Sequence, residues 1–216
     1  MNFALNLYHQ DKKVNQTLFL YMIYCLTLLL VRAKITQSDY LFFLIWNLFL
    51  SFVPYIISSY FQSLDTKNNP KFKLYTLLTI WLLFIPNSFY IITDLVHLDN
   101  SDGFIFWLDL IIISSYALIG FGLGLLSLSH FEKTLQTIIS KKYATIILFC
   151  ISSLCGFGIY VGRILRYNSW DIISNPFDLI VDLFIAATSK TSLFFSIQFG
   201  IFIYFAFLIK KNITSK

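Results

Sequence analysis

Residues 104–128 read FIFWLDLIIISSYALIGFGLGLLSL, and Asp109 is their only charged member. A helix needs about 20 apolar residues to cross a bilayer's hydrocarbon core, so this run is long enough to do so. Working outward, five further apolar runs reach similar length, at roughly 16–33, 40–61, 74–97, 144–166 and 189–209. The expected architecture is therefore an all-α polytopic membrane bundle of about six transmembrane helices, one integral membrane domain spanning 1–216. The apolar stretch 176–187 is too short to span. It opens with Asn175-Pro176, a helix-start signal, and puts Asp178 and Asp182 on one face. It reads as a short interfacial or re-entrant helix.

Composition points the same way. The chain has 216 residues, 57% of them hydrophobic and 12% charged, where soluble domains carry about 25% charged residues. A water-soluble fold would have to expose large apolar patches. The partner implied first is the lipid bilayer, and 24 Phe with 13 Tyr suit lipid-facing surfaces and interfacial rings. The net charge of +5 would suggest nucleic acid in a soluble protein. Here the basic residues lie between apolar runs, where they set topology, and no nucleic-acid motif is present. Cys25, Cys150 and Cys155 all sit inside apolar runs without metal spacing, as buried structural thiols do. The first apolar run lacks a convincing cleavage site and reads as a retained helix.

Lysine and arginine placement orients the bundle. With the N-terminus inside, inner segments hold 11 basic residues (Lys12, Lys13, Lys67, Lys71, Lys73, Lys133, Lys141, Lys142, Lys210, Lys211 and Lys216) and outer segments hold 5 (Arg32, Lys34, Arg163, Arg166 and Lys190). A cell-membrane protein with both termini cytoplasmic is expected, Arg32 and Lys34 being the local dissent. Every arginine falls on the outer side, together with Asp39, Asp94, Asp99, Asp102, Asp109, Asp171, Asp178 and Asp182. Topology alone explains plain lysine inside. It does not require arginine beside aspartate outside, and the planar guanidinium fork suits carboxylate or phosphate.

Helical spacing gathers these residues into faces. Tyr40, Asn47, Ser51, Pro54 and Ser58 share one stripe; Asn87, Tyr90, Asp94 and His97 share another; Asp109, Tyr116, Gly120, Gly124 and Ser127 a third; Ser152, Gly156, Tyr160 and Arg163 a fourth. Gly158 and Gly162 form a small-residue face spaced as GxxxG. Helix packing accounts for the Gly and Ser members. Ionisable groups inside membrane helices are costly and tend to face a bundle interior or a wet cavity. The ionisable members come from separate segments yet land at one height, so a polar cluster beneath the outer surface is expected. Its candidate members are Asn47, Asn87, Asp94, His97, Asp109, Arg163, Arg166, Asn168, Trp170 and Asp171. Pro86 removes a backbone hydrogen bond and frees the Leu82 carbonyl. Asn87 either satisfies a freed group or projects into a cavity opened by a kink.

The strings YLFFLIWNLFLSFVP (40–54), WLLFIPNSFYIITDLVHL (81–98), WLDL (107–110) and GIYVGRILRYNSWD (158–171) resemble a family of bacterial membrane proteins, domain of unknown function 1361. The resemblance runs from about Arg32 to Pro176. It departs at Ser88-Phe89, where the family has Ala-Pro, and at Tyr167, where it has Trp; neither touches a charged position. It implies a bacterial membrane protein of this helical layout and implies no reaction.

Two chemistries suit the cluster. Asp94 and His97, with Asp109 or Asp171, could ligate a divalent metal, but an interhelical pair such as Asp94 with Arg163 explains them better, as no ligand signature is present. Arg163 and Arg166, followed by Asn168, Trp170 and Asp171, could clamp the phosphate of a lipid head group or lipid-linked precursor; interfacial arginines beside an aromatic belt are the simpler explanation. His9 and His130 fall in connecting segments away from the cluster. No nucleophile elbow, Walker or dinucleotide fingerprint is present, and the sequence requires no cofactor. The leading expectation is an extracytoplasmic-facing polar site binding an anionic or lipid-like small molecule. The alternatives are an enzyme on a phosphate-containing lipid-linked substrate and an assembly partner using the GxxxG face. Transport fits less well, because the polar stripes thin to Gly and Ser toward the inside.

Overall fold

The computed structural model describes residues 12–64, 70–100, 103–167 and 171–214. They form an all-α bundle: α1 (Lys12–Thr36), α2 (Phe43–Ser63), α3 (Lys71–Tyr90), a 3-10 helix (Ile91–Asn100), α4 (Gly103–Leu135), α5 (Lys141–Arg163), the single turn α6 (Asp171–Ser174), α7 (Pro176–Thr188) and α8 (Lys190–Thr214). Six of these segments are long and apolar enough to cross a membrane: α1, α2, α3 with its 3-10 extension, α4, α5 and α8. The chain is a multi-pass membrane protein. At about 1.5 Å per residue, the thirteen residues of α7 reach only about 20 Å, short of the roughly 30 Å core.

α4 is the central helix. It contacts α1, α2, α3, the 3-10 helix, α5 and α8. One apolar core joins it to α1, α2 and Ile91 through Leu29, Leu44, Ile112, Tyr116 and Ile119; a second joins it to α3, α5 and α8 through Trp81, Phe89, Phe131, Ile151 and Ile203. Close approach depends on small residues. A Cβ on Gly156 would land on the Ser196 backbone carbonyl, and one on Gly200 would come within 2.6 Å of the Ser153 Cα, so α5 and α8 meet almost backbone to backbone. Gly120 and Gly124 of α4 accept Ile91 and Phe89.

Three details differ from the sequence expectation. The third span is not α-helical to its end: it tightens into a 3-10 helix at Ile91. A β-branched run, Ile91-Ile92-Thr93, begins there, and the Thr93 hydroxyl donates to the Tyr90 carbonyl at 2.6 Å, competing with the α-helical ladder. With three residues per turn, Asp94 and His97 lie on one edge. The fourth helix runs on to Leu135 rather than ending near 128. His130 is therefore not in a connecting segment but buried in α4, with its Nδ1 3.1 Å from the Ser59 hydroxyl.

Candidate functional site

Asp94, His97, Asp109 and Arg163 gather at one end of the bundle, and Lys73, Lys210 and Lys211 bond to Tyr60, Ser129 and Glu132 toward the other. Asp94 is 1% exposed. Its Oδ1 accepts from Arg163 Nη2 at 2.5 Å and its Oδ2 from Asn47 Nδ2 at 2.8 Å. Arg163, the last residue of α5, spreads its fork further: Nε donates to the Thr93 hydroxyl at 2.9 Å, Nη1 lies 3.4 Å from His97 Nε2, and the guanidinium carbon sits 4.5 Å from the Tyr90 ring centre. A cation at a helix C-terminus is also favoured by the helix dipole. Three spans, α2, α3 with its extension, and α5, are thus tied through one buried carboxylate.

Asp109 belongs to a second pair. It is 2% exposed and meets Arg32 of α1 in a two-pronged contact, Nε to Oδ1 at 2.9 Å and Nη2 to Oδ2 at 3.2 Å. Tyr40 bridges the two pairs. Its ring lies 5.8 Å from the Arg32 guanidinium carbon and its hydroxyl 3.2 Å from His97 Nδ1. His97 thus stands between the Tyr40 hydroxyl and the Arg163 guanidinium, one ring nitrogen toward each.

The remaining candidates stand apart. Asn87 lines a cavity, and its Nδ2 donates at 3.1 Å to the Phe84 carbonyl, not to the Leu82 carbonyl that Pro86 was expected to free. Arg166 is exposed, holds a left-handed φ of 63°, and has no ion-pair partner among the described residues. Asp171 accepts locally from the Ser174 hydroxyl at 2.9 Å and does not join Asp94. Asn168 and Trp170 lie outside the described residues. Among the described residues, no three His, Cys, Asp or Glu side chains come close enough to share a metal. Asp94 and Asp109 each have an arginine as first partner.

Sequence reading set Arg32 at the height of the cluster and Tyr40 on a polar stripe but left both off the candidate members, and it missed Thr93. Arg32 carried a signal, being at odds with the lysine count. Thr93 carried none, because its alignment with Arg163 depends on the 3-10 turn.

Beside the Asp94–Arg163 pair lies a cavity of about 360 Å³ between α2, α3, α5 and α7. Leu50, Leu82, Leu83, Leu154, Phe157, Leu179 and Leu183 form its apolar wall; Asn47, Asn87, Tyr90 and Tyr167 supply its polar groups. Gly158 and Gly162 line it too, and their GxxxG face is occupied within the chain: added Cβ atoms would meet Pro86 at 2.6 Å and the Tyr90 ring at 3.0 Å. Across the mouth, Tyr167 donates to Asp182 of α7 at 2.8 Å. That bond, with burial and the neighbouring carboxylates, pushes its hydroxyl up to about 12.

Fold and cluster together define a multi-pass, all-α membrane protein with charge-paired aspartates at one end of its bundle. The chain belongs to the family described as protein of unknown function DUF1361, whose profile matches residues 46–206. Asn47, Asp94, His97, Asp109 and Arg163 fall within the match; Arg32 and Tyr40 precede it. No curated protein and no solved structure matches the chain.

Proposed function

We propose that this protein binds an amphiphilic, lipid-like molecule, drawn from the bilayer, in the cavity between α2, α3, α5 and α7. The carrying observation is the cavity itself. Its size is within the range of small-molecule sites, roughly 300–1,000 Å³, and its lining changes from leucine and phenylalanine to Asn47, Asn87 and Tyr90 beside the buried ion pair. Several lining residues, among them Leu83 at 51% and Leu154 at 51% exposure, also face outward, which suits lateral entry from lipid. The lysine distribution supports an extracytoplasmic position for this end in a cell membrane. The two apolar cores share α4, which supports reading the whole chain as one domain.

Binding fits the geometry better than catalysis. A general base must reach a substrate's proton, while Asp94 is 1% exposed, does not line the cavity and already accepts from Arg163 and Asn47. The assembly reading loses ground because the GxxxG face packs on Pro86 and Tyr90.

The double variant Leu83→Trp/Leu183→Trp fills the cavity from two walls. Mass spectrometry of the purified protein should find co-purifying lipid on the wild type and little on the variant, with both unfolding at similar temperatures in detergent. Equal lipid retention by both would overturn the proposal.

A further inference from the structure

We infer that the head group this cavity takes is uncharged and hydroxylated, as in a diacylglycerol-like lipid. The inference rests on the amphiphile-binding reading and specifies its ligand. Among the described residues, no Lys, Arg, His, Asp or Glu lines the cavity. At its polar end, the adjacent charges Arg163 and Asp94 already neutralise one another at 2.5 Å, and at its mouth Asp182 is engaged by Tyr167. A phosphate entering the polar end beside Asn47 and Tyr90 would lose its hydration without a cation in the lining to replace it, and an ammonium there would meet only the Asp94 carboxylate that Arg163 already holds.

The polar groups left over have a definite character. The Asp94 carboxylate can only accept, so the group Asn47 presents to it is the amide nitrogen. That assignment leaves the Asn47 carbonyl oxygen, Oδ1, without a donor among the described residues. The Tyr90 hydroxyl, on a ring held between the Arg163 guanidinium and Gly162, likewise has no hydrogen-bond partner there. Tyr167 spends its proton on Asp182 and keeps only lone pairs. Asn87 already donates to the Phe84 carbonyl; besides it and Trp46, the cavity's polar part offers two acceptors, Asn47 Oδ1 and Tyr167 Oη, and one group of either role, Tyr90 Oη. A head group that donates as well as accepts satisfies this set. Hydroxyls do so at no cost in buried charge; a phosphate diester or a carboxylate has no proton to donate to Asn47.

The test uses lipids of identical acyl chains, each carrying a photoactivatable diazirine in one chain, supplied to the full-length protein in nanodiscs: diacylglycerol, phosphatidic acid, and the two-chain glycol diester that lacks a head hydroxyl. Crosslinks mapped to α3 and α7 should favour diacylglycerol over the other two. Tyr90→Phe keeps the ring over the guanidinium and removes one hydrogen bond. It should lower diacylglycerol capture roughly two- to tenfold and leave the diester unchanged. Phosphatidic acid captured as well as diacylglycerol at the same residues would overturn the head-group inference while leaving the binding reading intact. So would indifference of diacylglycerol capture to Tyr90→Phe. If no probe is captured at α3 and α7, or if capture persists in Leu83→Trp/Leu183→Trp, the binding reading itself fails.

Discussion

Arg163 holds Asp94, Thr93, His97 and the face of Tyr90 at once. A lysine could keep the charge but not the fork, whose separate N–H groups point at separate partners. The pair's worth lies in compensation more than in net attraction. Both charges have left water, and removing one strands the other, which costs about 3–5 kcal/mol for a buried pair. Arg163→Ala should therefore lower the detergent unfolding temperature markedly, because the carboxylate it strands is the more buried partner. The double variant Asp94→Leu/Arg163→Met should recover much of that loss, since hydrophobic replacements of a buried pair are often neutral. A double variant less stable than Arg163→Ala would show that the pair stabilises the fold outright. Asp109 with Arg32 follows the same logic, and that contact is the chief polar tie of α1 to the bundle.

At the scale of elements, the glycines divide into those that hold helices together and those that do not. Gly156 of α5 lies so close to the Ser196 backbone that an added methyl group has no room, and backbone cannot swing aside as a flexible side chain can. Gly122 of α4 has nothing within 4 Å of where its Cβ would stand. Gly156→Ala should thus cost on the order of 1–3 kcal/mol through forced separation of α5 and α8, and Gly122→Ala should be neutral or gain up to about 1 kcal/mol from helix propensity. Thermal unfolding of the two single variants decides it, and equal effects would mean that the α5–α8 crossing is not the tight contact described. The 3-10 helix is the other element with a consequence. It stacks Asp94 and His97 on one edge, so that Arg163 reaches both.

At the scale of the whole molecule, an even number of spans puts the two ends of the bundle's chain on one side, and the lysine distribution supports the proposal that this side is the cytoplasm. Cysteines introduced one at a time at Ser38 and Thr214, in a background lacking Cys25, Cys150 and Cys155, should differ in reach of a membrane-impermeant thiol reagent applied to intact cells: Ser38→Cys labelled, Thr214→Cys protected. The opposite pattern would turn the cavity and the ion pairs toward the cytoplasm. Two apolar cores meeting at α4 explain why one long helix, with Asp109 near its start and His130 near its end, contributes to polar clusters at both ends of the bundle.

Apolar run length and charge spacing, properties of the chain in one dimension, were enough to determine that it crosses a membrane in helices and that Asp94, His97, Asp109 and Arg163 lie at one end. A bilayer imposes those features on each segment separately, so they are legible without knowing which helices touch. Which arginine meets which aspartate was decided only in three dimensions. Asp109 falls to Arg32 because α1 lies against α4, and Asp94 to Arg163 because α5 lies against α3. The GxxxG face could have pointed to a partner; it turned inward onto Pro86 and Tyr90. Neighbour choice and helix rotation depend on close packing summed over many side chains, and no local stretch of sequence contains that sum.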